Sequence, residues 1–267
     1  MKRISERFQT LHQYDRTALI AYLTAGDPDL TTTVAAMHAC AEAGCDLIEV
    51  GVPFSDPMAD GPAIEKAMVR SLANGTTLQS VMDCVADFRE TDRTTPVVLF
   101  GYANPFYQYG YDRLAQEARR VGVDGFLVVD LPPEEADELV QLDSYKDLAF
   151  IGLFTPTSSD ARSATIAQRA SGFAYYVSMT GVTGGGITGL DGIAKRVASV
   201  QAITQLPVAV GFGIRTGEDA RAVSQFADGV VIGSELIRRM EKAGPTGAPA
   251  AAGAFIADIR AALDSSN

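Results

Sequence analysis

Residues 208–234, VAVGFGIRTGEDARAVSQFADGVVIGS, decide the fold. Val208–Gly211 and Gly229–Ile232 are short apolar runs rich in β-branched residues, and Thr216–Phe226 between them repeats its apolar positions at helical spacing. The stretch therefore reads as one strand–helix–strand unit. Both strands leave through glycine, at Gly211-Phe212-Gly213 and at Gly233-Ser234. The same alternation runs back along the chain. Ala18–Ala25, Asp46–Val50, Val97–Tyr102, Gly125–Asp130, Ala149–Phe154 and Ala174–Ser178 read as strands. Thr31–Ala43, Thr77–Thr91, Asp112–Val121, Pro133–Leu142, Ser159–Ala170 and Leu190–Gln205 read as helices, each long enough for a crossover. Eight strands so connected predict a (β/α)8 TIM barrel over residues 1–267 as a single domain. An extra N-terminal helix near Ile4–His12 and an Ala-rich helix near Ala248–Leu263 bracket it, with Gly244–Ala248 as a short linker. A doubly wound open sheet shares this alternation, but Ala25-Gly26-Asp27-Pro28 after the first strand lacks its G-x-G-x-x-G fingerprint.

Composition narrows the function. The chain is 47% hydrophobic with a net charge of −11, which disfavours a binder of nucleic-acid phosphates. No apolar run approaches the roughly 20 residues needed to cross a bilayer. Met1-Lys2-Arg3 leads into polar sequence, so a cytoplasmic protein is expected. Cys40, Cys45 and Cys84 lack metal or redox spacing and read as buried or half-buried thiols. His12 and His38 lie away from strand exits, so no metal site is expected and a Ser-His-Asp relay is disfavoured. Lys2, Lys66, Lys146, Lys195 and Lys242 also avoid strand ends, which disfavours a Schiff base. Glu, Asp and Tyr are left to move protons.

One carboxylate stands out. Glu49 lies inside the apolar run Asp46–Val50, where an unpaired acid faces a large desolvation cost. The following stretch, GVPFSDPMADGP (Gly51 to Pro62), contains Pro53, Pro57 and Pro62 and must be an irregular loop, which can bring Asp60 to the same cavity. Two carboxylates in different surroundings can divide acid and base roles. The structural alternative is that Glu49 pairs with an arginine while Asp56 and Asp60 cap turns. The late glycines, including Gly181 to Gly189 (GVTGGGITG), match the amide-rich phosphate site that barrels build from their last loops and a small helix.

Together Glu49–Pro62, Tyr102-Ala103-Asn104-Pro105, Val121–Gly125, Ser178–Gly184 and Gly211-Phe212-Gly213 resemble the tryptophan synthase alpha subunit family over nearly the whole chain. The resemblance implies a (β/α)8 lyase that reversibly cleaves indole-3-glycerol phosphate to indole and glyceraldehyde 3-phosphate. By it, Glu49 is the acid and base, and Asp60 accepts from the indole N–H. Tyr175 supports Glu49 or serves as a core aromatic, and Thr183 closes over Asp60. Tyr22, Phe100, Leu127, Val129, Leu153 and Phe212 line the indole pocket. Ile64, Gly184, Gly213, Gly233 and Ser234 hold the phosphate. Pro53, Phe54, Asp56, Asn104 and Pro105 face a beta subunit, with Pro53-Phe54 expected as an exposed patch. An alpha2beta2 heterotetramer is implied, with pyridoxal phosphate in the beta partner and no cofactor in this subunit. Two features depart from the family pattern: the run Gly184-Gly185-Gly186 and Ala21, where many members have proline. A sugar-phosphate isomerase, a stand-alone indole-releasing lyase and a non-catalytic activating subunit are the competing readings.

Overall fold

The computed structural model describes residues 2–177, 189–211 and 213–265. Its strands are β1 (Ala18–Thr24), β2 (Leu47–Gly51), β3 (Val97–Gly101), β4 (Gly125–Val128), β5 (Ala149–Phe150), β6 (Gly152–Phe154), β7 (Ala174–Val177), β8 (Val208–Gly211) and β9 (Gly229–Ile232). All pair in parallel, in the order β5-β4-β3-β2-β1-β9-β8-β7-β6. The expected fifth strand is thus two segments. Its ladder changes partner at Ile151, from β4 on one side to β7 on the other, and the Ile151 amide still donates to the Phe126 carbonyl at 2.8 Å. Eight staves of a barrel result.

The helices are α1 (Lys2–Gln13), α2 (Leu30–Glu42), α3 (Pro62–Ala73), α4 (Leu78–Arg89), α5 (Ala103–Tyr109), α6 (Tyr111–Val121), α7 (Asp137–Val140), α8 (Asp160–Ala167), α9 (Leu190–Thr204), α10 (Gly217–Ser224) and α11 (Ser234–Asp264). Four differ from the sequence reading, one of them α5, a two-turn helix the periodicity did not reveal. The helix expected over Pro133–Leu142 shrinks to the single turn α7, because Pro132 and Pro133 supply no amide for a longer ladder. The expected linker at Gly244–Ala248 reduces to one residue: Gly244, at φ 71°, breaks α11, and Pro245 restarts it at once. Pro62 opens α3 where a proline-rich loop ends, a helix the periodicity did not reveal.

Alternation along each strand sorts side chains into two layers. Ile20, Leu47, Val98, Leu127, Ile151, Ala209 and Val231 fill the barrel, while Leu19, Ile48, Leu99, Phe126 and Val230 pack outward under the helices. Helix α1 closes the N-terminal end with Ile4, Phe8 and Leu11; the Phe8 ring lies 5.6 Å from that of Phe173.

A repeated device ties neighbouring strands at that same end. Asp46, just before β2, gives its amide to the Leu19 carbonyl (2.7 Å) and takes the Leu19 amide on its carboxylate (2.9 Å). Asp124 does the same with Val97 (2.8 and 2.9 Å), and Asp228 with Val208 (2.9 and 2.7 Å). Each carboxylate is then met by a helix side chain: Arg260 for Asp46, Arg89 for Asp124, Gln201 for Asp228. Arg3 of α1 adds a second bond to Asp124 at 2.9 Å.

Removing one partner of a buried ion pair strands the other charge, so Asp124→Ala should destabilise the fold by about 3–5 kcal/mol. Asp228→Ala, whose side-chain partner is neutral, should cost only about 1–3 kcal/mol. Urea unfolding midpoints of the two variants check the order; a smaller loss for Asp124→Ala would refute it.

Candidate active site

Glu49 occupies the middle of β2, two residues from each end of this fully buried strand, with Tyr22 of β1 and Val98 of β3 as its register partners. Leu47 two residues earlier points into the barrel, so the carboxyl points there too. It is 0% exposed, and neither oxygen has a hydrogen-bond partner among the described residues. Burial in apolar surroundings therefore pushes its pKa up from 4.5 to about 8. Among the described residues no arginine pairs with it.

Asp60 arrives from the loop between β2 and α3. Its amide bonds to the Pro57 carbonyl at 3.0 Å, and its carboxylate is half-buried. Tyr102, at the exit of β3, donates its hydroxyl to Asp60 Oδ2 at 2.7 Å and accepts the Ala59 amide at 3.1 Å. Burial raises the Asp60 pKa, the Tyr102 bond opposes that rise, and Glu65 adds to it. Tyr102 was quoted in the sequence only as part of a motif. Its aromatic character at a strand exit reads as core, and nothing local shows that its hydroxyl holds Asp60.

Two further phenols have both acids as electrostatic neighbours. Burial raises the pKa of Tyr22 first, and then the charges of Asp60 and Glu49 do. For Tyr175 burial again leads, followed by Glu49 and Asp60. The Tyr175 hydroxyl makes no bond to Glu49; it sits where a Cβ on Gly211 would be 2.0 Å away. Phe100 stands between the two rings, edge-on to Tyr22 at 5.2 Å and 6.3 Å from Tyr175. Leu127, Val129 and Leu153 pack in the same cluster. An apolar cluster near two carboxyl groups suits a flat heteroaromatic ring.

The polar end of the slot is made of backbone. Ile64 packs with Tyr22 and Ile237, and Gly233 follows β9 to open α11 at Ser234. The first helical bond there runs from the Ile237 amide to the Gly233 carbonyl, so the preceding amides have no helical acceptor, the arrangement that lets a helix start bind an anion. Gly213 takes φ 82°, a conformation that disfavours a side chain. Thr183, Gly184 and Phe212 lie outside the described residues.

The expected partner edge needs a correction. Pro53 is buried, because Val52 extends the ladder to the Phe100 carbonyl (2.8 Å), and Phe54 is half-buried with its ring 5.2 Å from that of Tyr102. Met58, 85% exposed, is the bare apolar residue of that loop. Asp56 and Asn104 are exposed and Pro105 is half-buried.

Fold and site together define a parallel barrel of the enzyme-bearing class, with a buried glutamate on a strand, an aspartate on the loop that follows it and a helix N-terminus after the last strand. The sequence model of the family described as tryptophan synthase alpha chain matches residues 8–257. The tryptophan synthase alpha chain of Burkholderia multivorans is 52% identical over 264 residues, covering 99% of this chain and 97% of that relative. The crystal structure of tryptophan synthase subunit alpha from Legionella pneumophila shares the fold with a TM-score of 0.91 at 41% identity, over 98% of both chains. A chain of M. tuberculosis tryptophan synthase in an aminoacrylate-bound form matches at 0.87 and 32% identity, over 98% of this chain and 99% of that one. This chain belongs to the tryptophan synthase alpha chain family.

The raised pKa of Glu49 makes a stability prediction with a definite sign. The folded chain keeps this proton up to about pH 8, whereas the unfolded chain releases it near 4.5, so stability is full below 4.5 and is lost as pH climbs through 8. Glu49→Gln has no such dependence. Relative to the parent, it should gain on the order of 5 kcal/mol between pH 4.5 and pH 8, as read by chemical denaturation across that range. Parallel curves for the two proteins would refute the assignment.

Proposed function

We propose that Glu49 and Asp60 carry out the reaction of this family here, the reversible cleavage of indole-3-glycerol phosphate to indole and glyceraldehyde 3-phosphate. The observation that carries the reading is Glu49: an acid buried on a barrel strand, without a hydrogen-bond partner, whose pKa of about 8 keeps it protonated at neutral pH. An acid in that state can give a proton to a carbon atom.

In this reading the indole ring lies between Tyr22, Phe100, Leu127, Val129, Leu153 and Tyr175; Phe212, outside the described residues, is added by the family resemblance alone. Glu49 protonates C3 of the ring, and the nitrogen takes up positive charge as an iminium. Asp60 accepts the N–H hydrogen bond and stabilises that charge, its carboxylate held in place by Tyr102. The Glu49 carboxylate then removes the proton from the side-chain hydroxyl next to the ring. That oxygen becomes the aldehyde, the carbon–carbon bond breaks, and its electron pair returns to the indole. Glu49 ends protonated, as it began. The phosphate is held by the amides at Gly213, Gly233 and Ser234 beside Ile64; the roles of Gly184 and Thr183, which lie outside the described residues, rest on the family resemblance alone.

The alpha chain family implies a tryptophan synthase beta subunit as partner. An alpha2beta2 assembly is our reading of the stoichiometry, with pyridoxal phosphate held in the beta subunit and none here. Asp56, Asn104 and Pro105 would contact it, together with Phe54 through its half-buried ring and Pro53 through its backbone. Among the described residues no helix is long and apolar enough to cross a membrane.

Indole release measured alone and with a beta subunit tests the assignment. Glu49→Gln should lower kcat by about 10³-fold and Asp60→Asn by about 10²-fold. Substantial activity in Glu49→Gln would reject the proton-transfer role. In the parent, kcat/KM for cleavage should fall as pH rises through about 8, where Glu49 loses the proton it must donate. A rate that instead climbs through that range would show that the free enzyme needs Glu49 ionised.

A further inference from the structure

Tyr22 serves above as a wall, yet it carries a hydroxyl, and the barrel makes room for that group. A Cβ on Gly51 would lie 2.1 Å from the Tyr22 oxygen and 2.6 Å from the ring carbon bearing it. Residue 51, on the same face of β2 as Glu49, must therefore lack a side chain for the phenol to lie where it does. Thr24 Oγ1 donates to this oxygen at 3.4 Å. The phenol accepts in that bond, so its own hydrogen remains to be given elsewhere. Tyr22 is only 3% exposed. A buried donor left unspent costs about 1–3 kcal/mol, a penalty phenylalanine would avoid.

Placement says where that hydrogen goes. The base of the ring touches the phosphate end of the slot: Tyr22 Cβ lies 3.5 Å from where a Cβ on Gly233 would be, and the side chain packs with Ile64 and Ile237. The hydroxyl end lies beside Gly51 on β2, the strand on which Glu49 is the register partner of Tyr22. A ligand with its phosphate at Gly233–Ser234 and its ring between the acids must lay its hydroxylated linker along this side chain.

We infer that Tyr22 is a catalytic residue that donates its O–H to the side-chain hydroxyl oxygen of indole-3-glycerol phosphate, the oxygen from which Glu49 takes the proton. The inference rests on the roles given to Glu49 and Asp60 above. That oxygen is neutral in the substrate, gains negative charge as its proton leaves for Glu49, and becomes the aldehyde oxygen once the carbon–carbon pair moves to the ring. A donor aimed at it binds the transition state more strongly than the substrate. Tyr22 keeps its own proton throughout; burial, Asp60 and Glu49 all oppose its ionisation.

The test compares the parent with Tyr22→Phe, which removes one oxygen and leaves the ring. Steady-state cleavage of indole-3-glycerol phosphate is measured in the presence of the beta subunit, and affinity is measured for indole-3-propyl phosphate, which has no side-chain hydroxyl. The expected result is a fall in kcat of about 100-fold, a KM changed by less than about threefold, and unchanged affinity for the analogue, which also reports an intact site. An unchanged kcat, a change confined to KM, or an equal loss of affinity for the analogue would overturn the role. If the parent releases indole and Tyr22→Phe matches it, Tyr22 alone is misassigned. A parent that releases none overturns the lyase reading and this role with it.

Discussion

Everything at the mouth of this barrel follows from one carboxyl group taken out of water and given nothing in exchange. Glu49 sits in β2 with both oxygens unpaired among the described residues, and folding must absorb the desolvation. The compensation lies elsewhere: a barrel filled by aliphatic side chains, a helix plugging its base, and aspartates clasping strand to strand around the N-terminal rim. Leaving Glu49 uncompensated keeps it neutral and reactive. An arginine beside it would add stability and hold it ionised, unable to protonate carbon.

The two ends of the barrel thus treat acids in opposite ways. Asp46, Asp124 and Asp228 are saturated with backbone amides and helix side chains, and they fix the register of neighbouring strands. Among the described residues Glu49 has no partner, and Asp60 takes a single tyrosine bond, on one of its two oxygens. In the function proposed here the same chemical group supplies structure at one end and reactivity at the other, according to how many donors the fold aims at it. This division matches the general separation of stability and chemistry between the two faces of such barrels.

Much of this was legible in the sequence, for reasons that can be named. Strands came through within a residue or so because β-branched runs between glycine and proline leave few alternatives; β2, β3, β8 and β9 are examples. Glu49 was conspicuous because a carboxylate in an apolar run has few innocent explanations. What escaped depends on contacts between segments distant in sequence. The break at Ile151 is a change of neighbour within a continuous apolar run, which hydropathy cannot register. Phe54 looked exposed because Tyr102, the ring that covers it, comes from another strand exit. The hydroxyl of Tyr102 finds its purpose only when the loop after β2 folds back, and the rim aspartates reveal themselves only once each is seen to grip the preceding strand.

Those rim clasps also bear on how the chain finds its shape. Asp46 reaches back 27 residues to Leu19, Asp124 27 to Val97 and Asp228 20 to Val208. Loops of that length close at modest entropic expense, and contacts local in sequence favour rapid assembly. Joining β1 to β9 draws together opposite ends of the polypeptide and gains most once the intermediate pairs already stand. Where these acidic residues fall along the chain therefore favours a kinetic order, with neighbouring strands zipped first and the ring sealed last.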